Sequence, residues 1–251
     1  MAKPRHLAHA PITEALVDLH VEQDNLSFAK LQAAFGDLDF GYYLKGPIAQ
    51  GRIGFKLTGD GKQPETMAES AQIGLRLHSN DEKYIAQCRV NGFTLSRLPP
   101  YEDWPSLINE TKKIWSIYRQ RTRPIKVIRI ATRFINNLQL PLMQGEPFQK
   151  YLEKFADVPE EVPQSLTAFY QRFQLVDQLS MATVNLTLAL ESLPPGKPEP
   201  VIPVIFDIDA FVHKELDIED VELWNILDNL RELKNRCFFS ALTEPALELY
   251  K

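Results

Sequence analysis

No run of apolar residues in this chain approaches the ~20 that a membrane-crossing helix needs. The opening stretch, MAKPRHLAHAPITEA, has no hydrophobic signal core, so a cytoplasmic protein with no membrane contact is expected. Cysteine occurs at two positions only, Cys88 and Cys237. They are far apart, with no CxxC, and each sits in an apolar pattern. Two buried thiols are the reading they favour over a disulfide or a catalytic role. GxSxG, P-loop and GxGxxG sequences are absent, as are HxH and HExxH. No nucleophile elbow, phosphate cradle or zinc pair is announced, and neither a cofactor nor a metal is expected. The glycines at 59–61, and those between Gly36 and Gly46, read as turn residues. With a formal net charge of -5 and a pI of about 5.6, a general nucleic-acid coat is not expected. The basic and aromatic mixture Tyr118–Arg123 leaves room only for a local contact, and cations there also suit a helix C-terminus.

What is present describes an ordinary folded chain. Apolar residues make up 44% and charged residues 24% of 251 positions, enough for a sizeable core and too apolar for disorder. No composition shift or flexible linker divides it, so residues 1–251 read as a single domain with two halves, 1–142 and 147–251.

The pattern is organised around residues 127–140, VIRIATRFINNLQL. Alternation puts Ile128, Ile130, Thr132 and Phe134 on one face of a central strand. Val127, Arg129, Ala131, Arg133 and Ile135 fall on the other. The two arginines then stand ~6.5–7 Å apart in one row. In so apolar a strand they need partners: carboxylates of the same chain or an anionic ligand.

Before this strand, residues 14–22 alternate as a half-buried strand. Residues 28–35 form a short helix capped by Asn25 or Ser27, and 52–58, 71–79 and 84–95 read as strands. Asn91-Gly92 inside the last suggests a bulge. A helix over about 102–120 carries Trp104, Leu107, Ile108, Thr111, Ile114, Trp115 and Tyr118 as one apolar stripe. After it come a short helix at 147–155, strands at 166–176, 181–193 and 200–212, and a long helix from about 217 or 219 to 239. The proline-rich loop 193–200 reads as a mobile flap. The first strand and the 181–193 strand are candidate sheet edges. Each half thus repeats a short helix, antiparallel strands and a long amphipathic helix. The fold class expected is α+β: a curved antiparallel sheet with two long helices and pseudo-duplicated halves.

Four landmarks occur in order: Pro11-Ile12 with Glu14-Ala15; Arg129, Arg133 and Asn136; Asp207 and Asp209; and Leu230, Leu233, Asn235, Phe238, Phe239, Leu242 and Thr243. Together they cover most of the chain and resemble a sporadically distributed bacterial family of about this length whose function is not established. Such a patchy distribution implies horizontal transfer and a link to mobile elements or defence. No catalytic residue comes with the resemblance.

The candidate ligand-binding residues are Arg129, Arg133, Asn136, Asp207 and Asp209. Guanidinium forks suit phosphate or carboxylate, with Asn136 as an amide handle. The competing reading is internal pairing of the arginines with Glu14, Asp18, Glu22, Asp207 or Asp209. Asp207, Asp209 and His213 share a row interrupted by Phe211, which is too little for a metal site. The aromatics Tyr42, Tyr43, Phe169, Tyr170 and Phe173 serve equally as cavity lining or as core.

Two functions are therefore expected. The first is a cytosolic binding or interaction protein that holds a protein partner or a second copy of itself. The alternative is a small-anion or nucleotide binder, open to hydrolase activity, with an Arg/Asp-lined cavity. Whether the chain is an enzyme stays open.

Overall fold

A computed structural model describes residues 5–56, 65–142, 146–154, 159, 161–163, 166–190 and 201–251, with backbone only at 52–56 and 65–69. The elements in chain order are β1 (Ile12–Glu22), α1 (Phe28–Ala34), β2 (Tyr42–Lys56), β3 (Glu65–Ser79), β4 (Tyr84–Arg89), β5 (Gly92–Arg97) and α2 (Trp104–Thr122). There follow β6 (Lys126–Leu140), a single 3-10 turn at Phe148–Lys150, β7 (Phe169–Val176), β8 (Thr183–Leu190), β9 (Ile202–Asp217), α3 (Glu222–Ala241) and α4 (Glu244–Glu248).

The strands form one nine-stranded sheet in the order β2-β3-β4-β5-β1-β6-β9-β8-β7. Every neighbouring pair is antiparallel. The fold is α+β, with helices on a single antiparallel sheet. β1 starts at the middle of the sheet. The chain then moves to the outer strand β2 and returns inward through β3, β4 and β5. β6 lies beside β1, and the chain then moves to the outer strand β7 and returns inward through β8 and β9.

One face of the sheet is apolar because alternation places Ala15, Val17, Leu19 and Val21 of β1 on the same side as Ile130, Phe134 and Leu138 of β6 and Val204, Phe206 and Ile208 of β9. Helices cover this face. Asp103 caps α2 by accepting from Ser106 N at 2.8 Å, and Pro105 sits in the first turn. The stripe expected of α2 is buried, and its Trp115 and Tyr118 pack on Phe93 of β5. α3 packs on β6 and β9, with Phe238 stacked on Phe206. Leu31 of α1 is fully buried in the same core.

Several expectations change on folding. β1 is central rather than an edge, and the edges are β2 and β7. Residues 84–95 are not one bulged strand. They are β4 and β5, joined by a tight turn at Val90-Asn91, and Gly92 pairs with Arg89. Gly92 lies so close to β1 that a Cβ would stand 2.6 Å from the Leu19 carbonyl oxygen. A bulge lies in β6 between Val127 and Arg129, where the register shifts against both β1 and β9. It shifts the alternation, so Val127 enters the core while Ile128 is only partly buried. β9 continues to Asp217, because its C-terminal end pairs with Lys126–Arg129, and α3 begins later than the periodicity implied. The helix expected at 147–155 is reduced to the 3-10 turn. The flap at 193–200 lies outside the described residues, as does the end of the strand expected over 181–193.

Candidate functional site

The face of the sheet away from the helices carries the arginine row. Asp18 of β1 is at its centre. It accepts from Arg89 at 2.6 Å, Arg129 at 2.9 Å and Thr94 at 2.6 Å, and His20 Nε2 lies 3.1 Å away. Arg129 also reaches Asp209 at 3.8 Å, and its guanidinium lies over the Phe211 ring at 4.5 Å. Asn185 of β8 donates to Asp209 at 3.2 Å. Arg133 makes a separate two-pronged pair with Asp207, at 2.8 and 2.6 Å. The lattice runs from β4 to β8 and ties the two halves together across the β6–β9 seam.

Burial works against ionising Asp18. The His20 contact, the Arg89 charge and the Thr94 hydroxyl outweigh it and hold the carboxyl well below its usual range. Three guanidiniums (Arg89, Arg129, Arg133) face three carboxylates (Asp18, Asp207, Asp209), so their charges cancel within the lattice. A set that is already neutral has little left with which to attract an anion. In the Arg119–Arg123 cluster two of the three arginines, Arg119 and Arg121, are engaged within the chain. Arg119 binds Glu219 and the Ile218 carbonyl, and Arg121 bonds backbone carbonyls and covers Phe35 and Phe40.

Asn136 is not part of this row. It stands an odd number of positions from Arg133, so it points to the helix side, where its side chain is buried. Its amide donates to the Phe206 carbonyl at 2.8 Å, and its side-chain oxygen accepts from none of the described residues. There it borders a cavity of about 380 Å³ between the N-terminal arm, the start of α2 and the second half of α3. Arg5 holds the arm down on α4 through Glu244 at 2.7 Å and Glu248 at 3.2 Å. His9 N donates to Tyr250 O at 3.1 Å. Trp104 Nε1 donates to Asp228 at 2.6 Å and joins α2 to α3. Four separate segments thus converge on one space.

Lys234 of α3 is the chemically unusual group in the cavity wall. The residue is 8% exposed, and among the described residues its amine has neither a hydrogen-bond acceptor nor a carboxylate partner. The nitrogen lies 3.7 Å from the centroid of the Phe134 ring. Burial, with a smaller contribution from the Arg231 charge, lowers its pKa to about 7, against a weak opposing pull from Glu232. Arg231 and Asn235, one helical turn before it and one residue after it, line the same space. Glu102 and Asp103 of the α2 entry also reach the cavity. Glu102 is held by Arg97 at 2.8 Å, and Asp103 serves as the helix cap.

No protein-family model matches the chain, and no curated protein matches it. The cavity therefore has to be read from its own chemistry.

Ile12, Asn136, Asn235, Phe238 and Phe239, all landmarks of the resemblance, line this cavity, whereas Arg129, Arg133, Asp207 and Asp209 lie on the opposite face. The helical spacing of Val221, Trp224, Leu227, Leu230, Leu233 and Cys237 puts Lys234 in the same apolar stripe, and nothing in that pattern marks it as a site residue. A lysine at i+7 from Leu227 and i+4 from Leu230 was the available signal. Among the described residues no group of three or more His, Cys, Asp or Glu is placed to hold a metal. No described helix is long and apolar enough to cross a membrane. Of the aromatics considered, Tyr42 is buried and bonds Glu110 at 3.0 Å, Tyr43 bonds Glu82, and Phe173 borders an apolar groove between β7 and α3.

Proposed function

We propose that this chain is a cytoplasmic small-molecule-binding protein whose site is the cavity beside Lys234. The ligand is a small anion carrying a carboxylate or phosphate. The observation that carries this reading is the Lys234 amine, on a cavity wall in a buried stretch of α3 and without a counter-ion among the described residues. A buried ammonium without a partner is costly, and an anion entering the cavity supplies the missing charge. Arg231, Asn235 and the Asn136 amide offer further polar contacts, while Trp104, Tyr101 and Phe238 supply an apolar wall. The anion reading thus moves from the Arg129/Arg133 row to the other side of the sheet. The neutral lattice there serves as internal structure.

The test is thermal unfolding of the whole chain against a panel of small carboxylates and phosphates, with Lys234→Met and Arg133→Ala beside the wild type. A ligand that raises the midpoint for wild type and Arg133→Ala but not for Lys234→Met supports the cavity. A ligand whose effect is lost in Arg133→Ala and kept in Lys234→Met returns the site to the row.

Several broader features belong to the same proposal. The chain acts as one domain, since a single sheet and a shared lattice cross its midpoint. The two halves are a duplicated unit, a reading supported by their common path from centre to edge and back. The sheet is curved around its helix side. Two free cysteines, Cys88 buried and Cys237 partly so, suit a reducing cytoplasm. The link to mobile elements or defence rests on the resemblance.

A second reading, association with a protein partner or a second copy, is favoured by β7. It is an edge strand that exposes Tyr170 at 68%, Val176 at 58% and, in the following turn, Leu179 at 91%. Edges of this kind pair with other strands. Sedimentation of the wild type and of Phe173→Lys at several concentrations tests it: a dimer lost in the variant supports pairing at β7.

A further inference from the structure

The Lys234 cavity is built for more than charge recognition. The nitrogen has no acceptor and no carboxylate partner among the described residues, it rests on the face of Phe134, and it borders about 380 Å³ of space. A lysine kept for packing alone gains nothing from a polar tip directed at a cavity. A lysine kept as an anion anchor is ordinarily a strongly hydrated, fully charged group. This one is withdrawn from water on the wall of a cavity, and that desolvation, against the opposite pull of the Phe134 ring on a cation, leaves an amine its lone pair at neutral pH.

We infer that Lys234 is a nucleophile that forms a reversible imine with the carbonyl carbon of a small oxo acid or anionic aldehyde. The inference rests on the anion-binding reading of the same cavity and narrows its ligand to compounds with both an anionic group and a reactive carbonyl. In the step, the Nζ lone pair adds to the carbonyl carbon, and a C–N bond forms as the C=O π bond breaks. The oxygen takes up a proton to give a carbinolamine. The oxygen then departs as one water carrying both amine hydrogens, and the C=N bond forms. Nothing is oxidised or reduced. Protonation of the imine restores the positive charge, and the ligand's own anionic group neutralises it inside the cavity. That internal pairing is unavailable to a simple aldehyde, so an uncharged carbonyl compound is a poor ligand.

The charged groups around the amine agree with this assignment. On α3 itself Arg231 disfavours the protonated amine and Glu232 weakly favours it. Glu232 is paired with Arg231 at 2.8 Å. From the α2 entry, Glu102 is held by Arg97 and Asp103 by the helix it caps. From the arm, Arg5 is held by α4 and His6 borders the space. None of them makes an ion pair with Nζ. A lysine of pKa about 7 has, at pH 7, about a thousandfold more free amine than an ordinary surface lysine.

The experiment is reductive trapping on the full chain. Protein is incubated at pH 7 with glyoxylate and cyanoborohydride, and modified positions are located by intact-mass and peptide analysis. The expected result is one saturable adduct on Lys234, formed at least a hundredfold faster than on surface lysines. It should be suppressed by excess glycolate, which has the same carboxylate but no carbonyl. In Lys234→Arg the fast adduct should vanish while slow surface labelling continues. Scattered surface labelling with Lys234 unmodified overturns the imine. If glycolate still stabilises the protein in that case, anion binding at the cavity survives by itself. If neither glycolate nor inorganic phosphate shifts the unfolding midpoint, the anion-binding reading falls as well. The wild-type peptide map reports the outcome even if the variant does not fold.

Discussion

The side-chain nitrogen of Lys234 lies 3.7 Å from the centroid of the Phe134 ring. The contact joins α3 to the middle of β6 on the buried side of the sheet. A cation over an aromatic face is attracted by the ring quadrupole, which recovers part of what burial removes. Burial acts in the opposite direction and, with the Arg231 charge beside it, lowers the pKa of the amine to about 7.

Lys234→Met should therefore stabilise the protein. The folded pKa of about 7 lies below the unfolded value of roughly 10.4, so the unfolded chain binds more protons between those limits. Wild-type stability should rise as pH increases from 7 to 10, and the variant should lose that slope. At pH 6 the variant should gain on the order of 2–4 kcal/mol. Urea unfolding of both proteins at pH 6 and pH 10 measures the difference. Equal slopes would mean that Lys234 is solvated in the folded state.

The binding of a simple anion should depend on pH through the same group. Such a ligand favours the protonated amine, so its affinity should weaken about tenfold between pH 6 and pH 8 as the free site titrates near 7. Calorimetry in buffers of differing ionisation enthalpy should show proton uptake on binding at pH 7. Proton release, or none, would count against Lys234 as the anchor.

On the opposite face, Asp18→Ala should destabilise by about 3–5 kcal/mol, because Arg89 and Arg129 are left without their shared carboxylate. Asp207→Asn should cost only about 1 kcal/mol or less, since its partner Arg133 is 43% exposed. Chemical denaturation at pH 7 separates the two. The Asp18 carboxyl is held below its unfolded value, so its contribution is present above about pH 4 and fades as pH falls from there. The Asp18→Ala variant should thus show a shallower loss of stability in acid.

Gly92→Ala should lose about 1–3 kcal/mol. The added methyl would stand 2.6 Å from the Leu19 carbonyl oxygen and would push β5 away from β1 at the centre of the sheet. Thermal unfolding gives the size of the loss, and hydrogen exchange at the amides of the β1–β5 ladder shows where it arises.

The local patterns were legible because they are short in range. The period-two alternation in β6 put Arg129 and Arg133 on one face, and the three-and-four spacing marked the buried stripe of α2. The same alternation already assigns Asn136 to the face opposite Arg133, so that misplacement was avoidable. What alternation leaves open is which strand lies beside which. The central position of β1, the exposed edge at β7 and the extension of β9 to Asp217 follow from pairing between strands more than a hundred residues apart in some cases. The bulge that turns Val127 inward is a matter of how β6 fits its partners β1 and β9 and of no local signal. The cavity is more remote still from sequence. Arg5, Trp104, Asn136 and Lys234 meet there from four segments. Periodicity put Lys234 on the apolar side of α3. A lysine in such a stripe can extend its tip to water, and only the tertiary structure sets this one over the Phe134 ring, at a cavity whose other walls are the arm and the α2 entry.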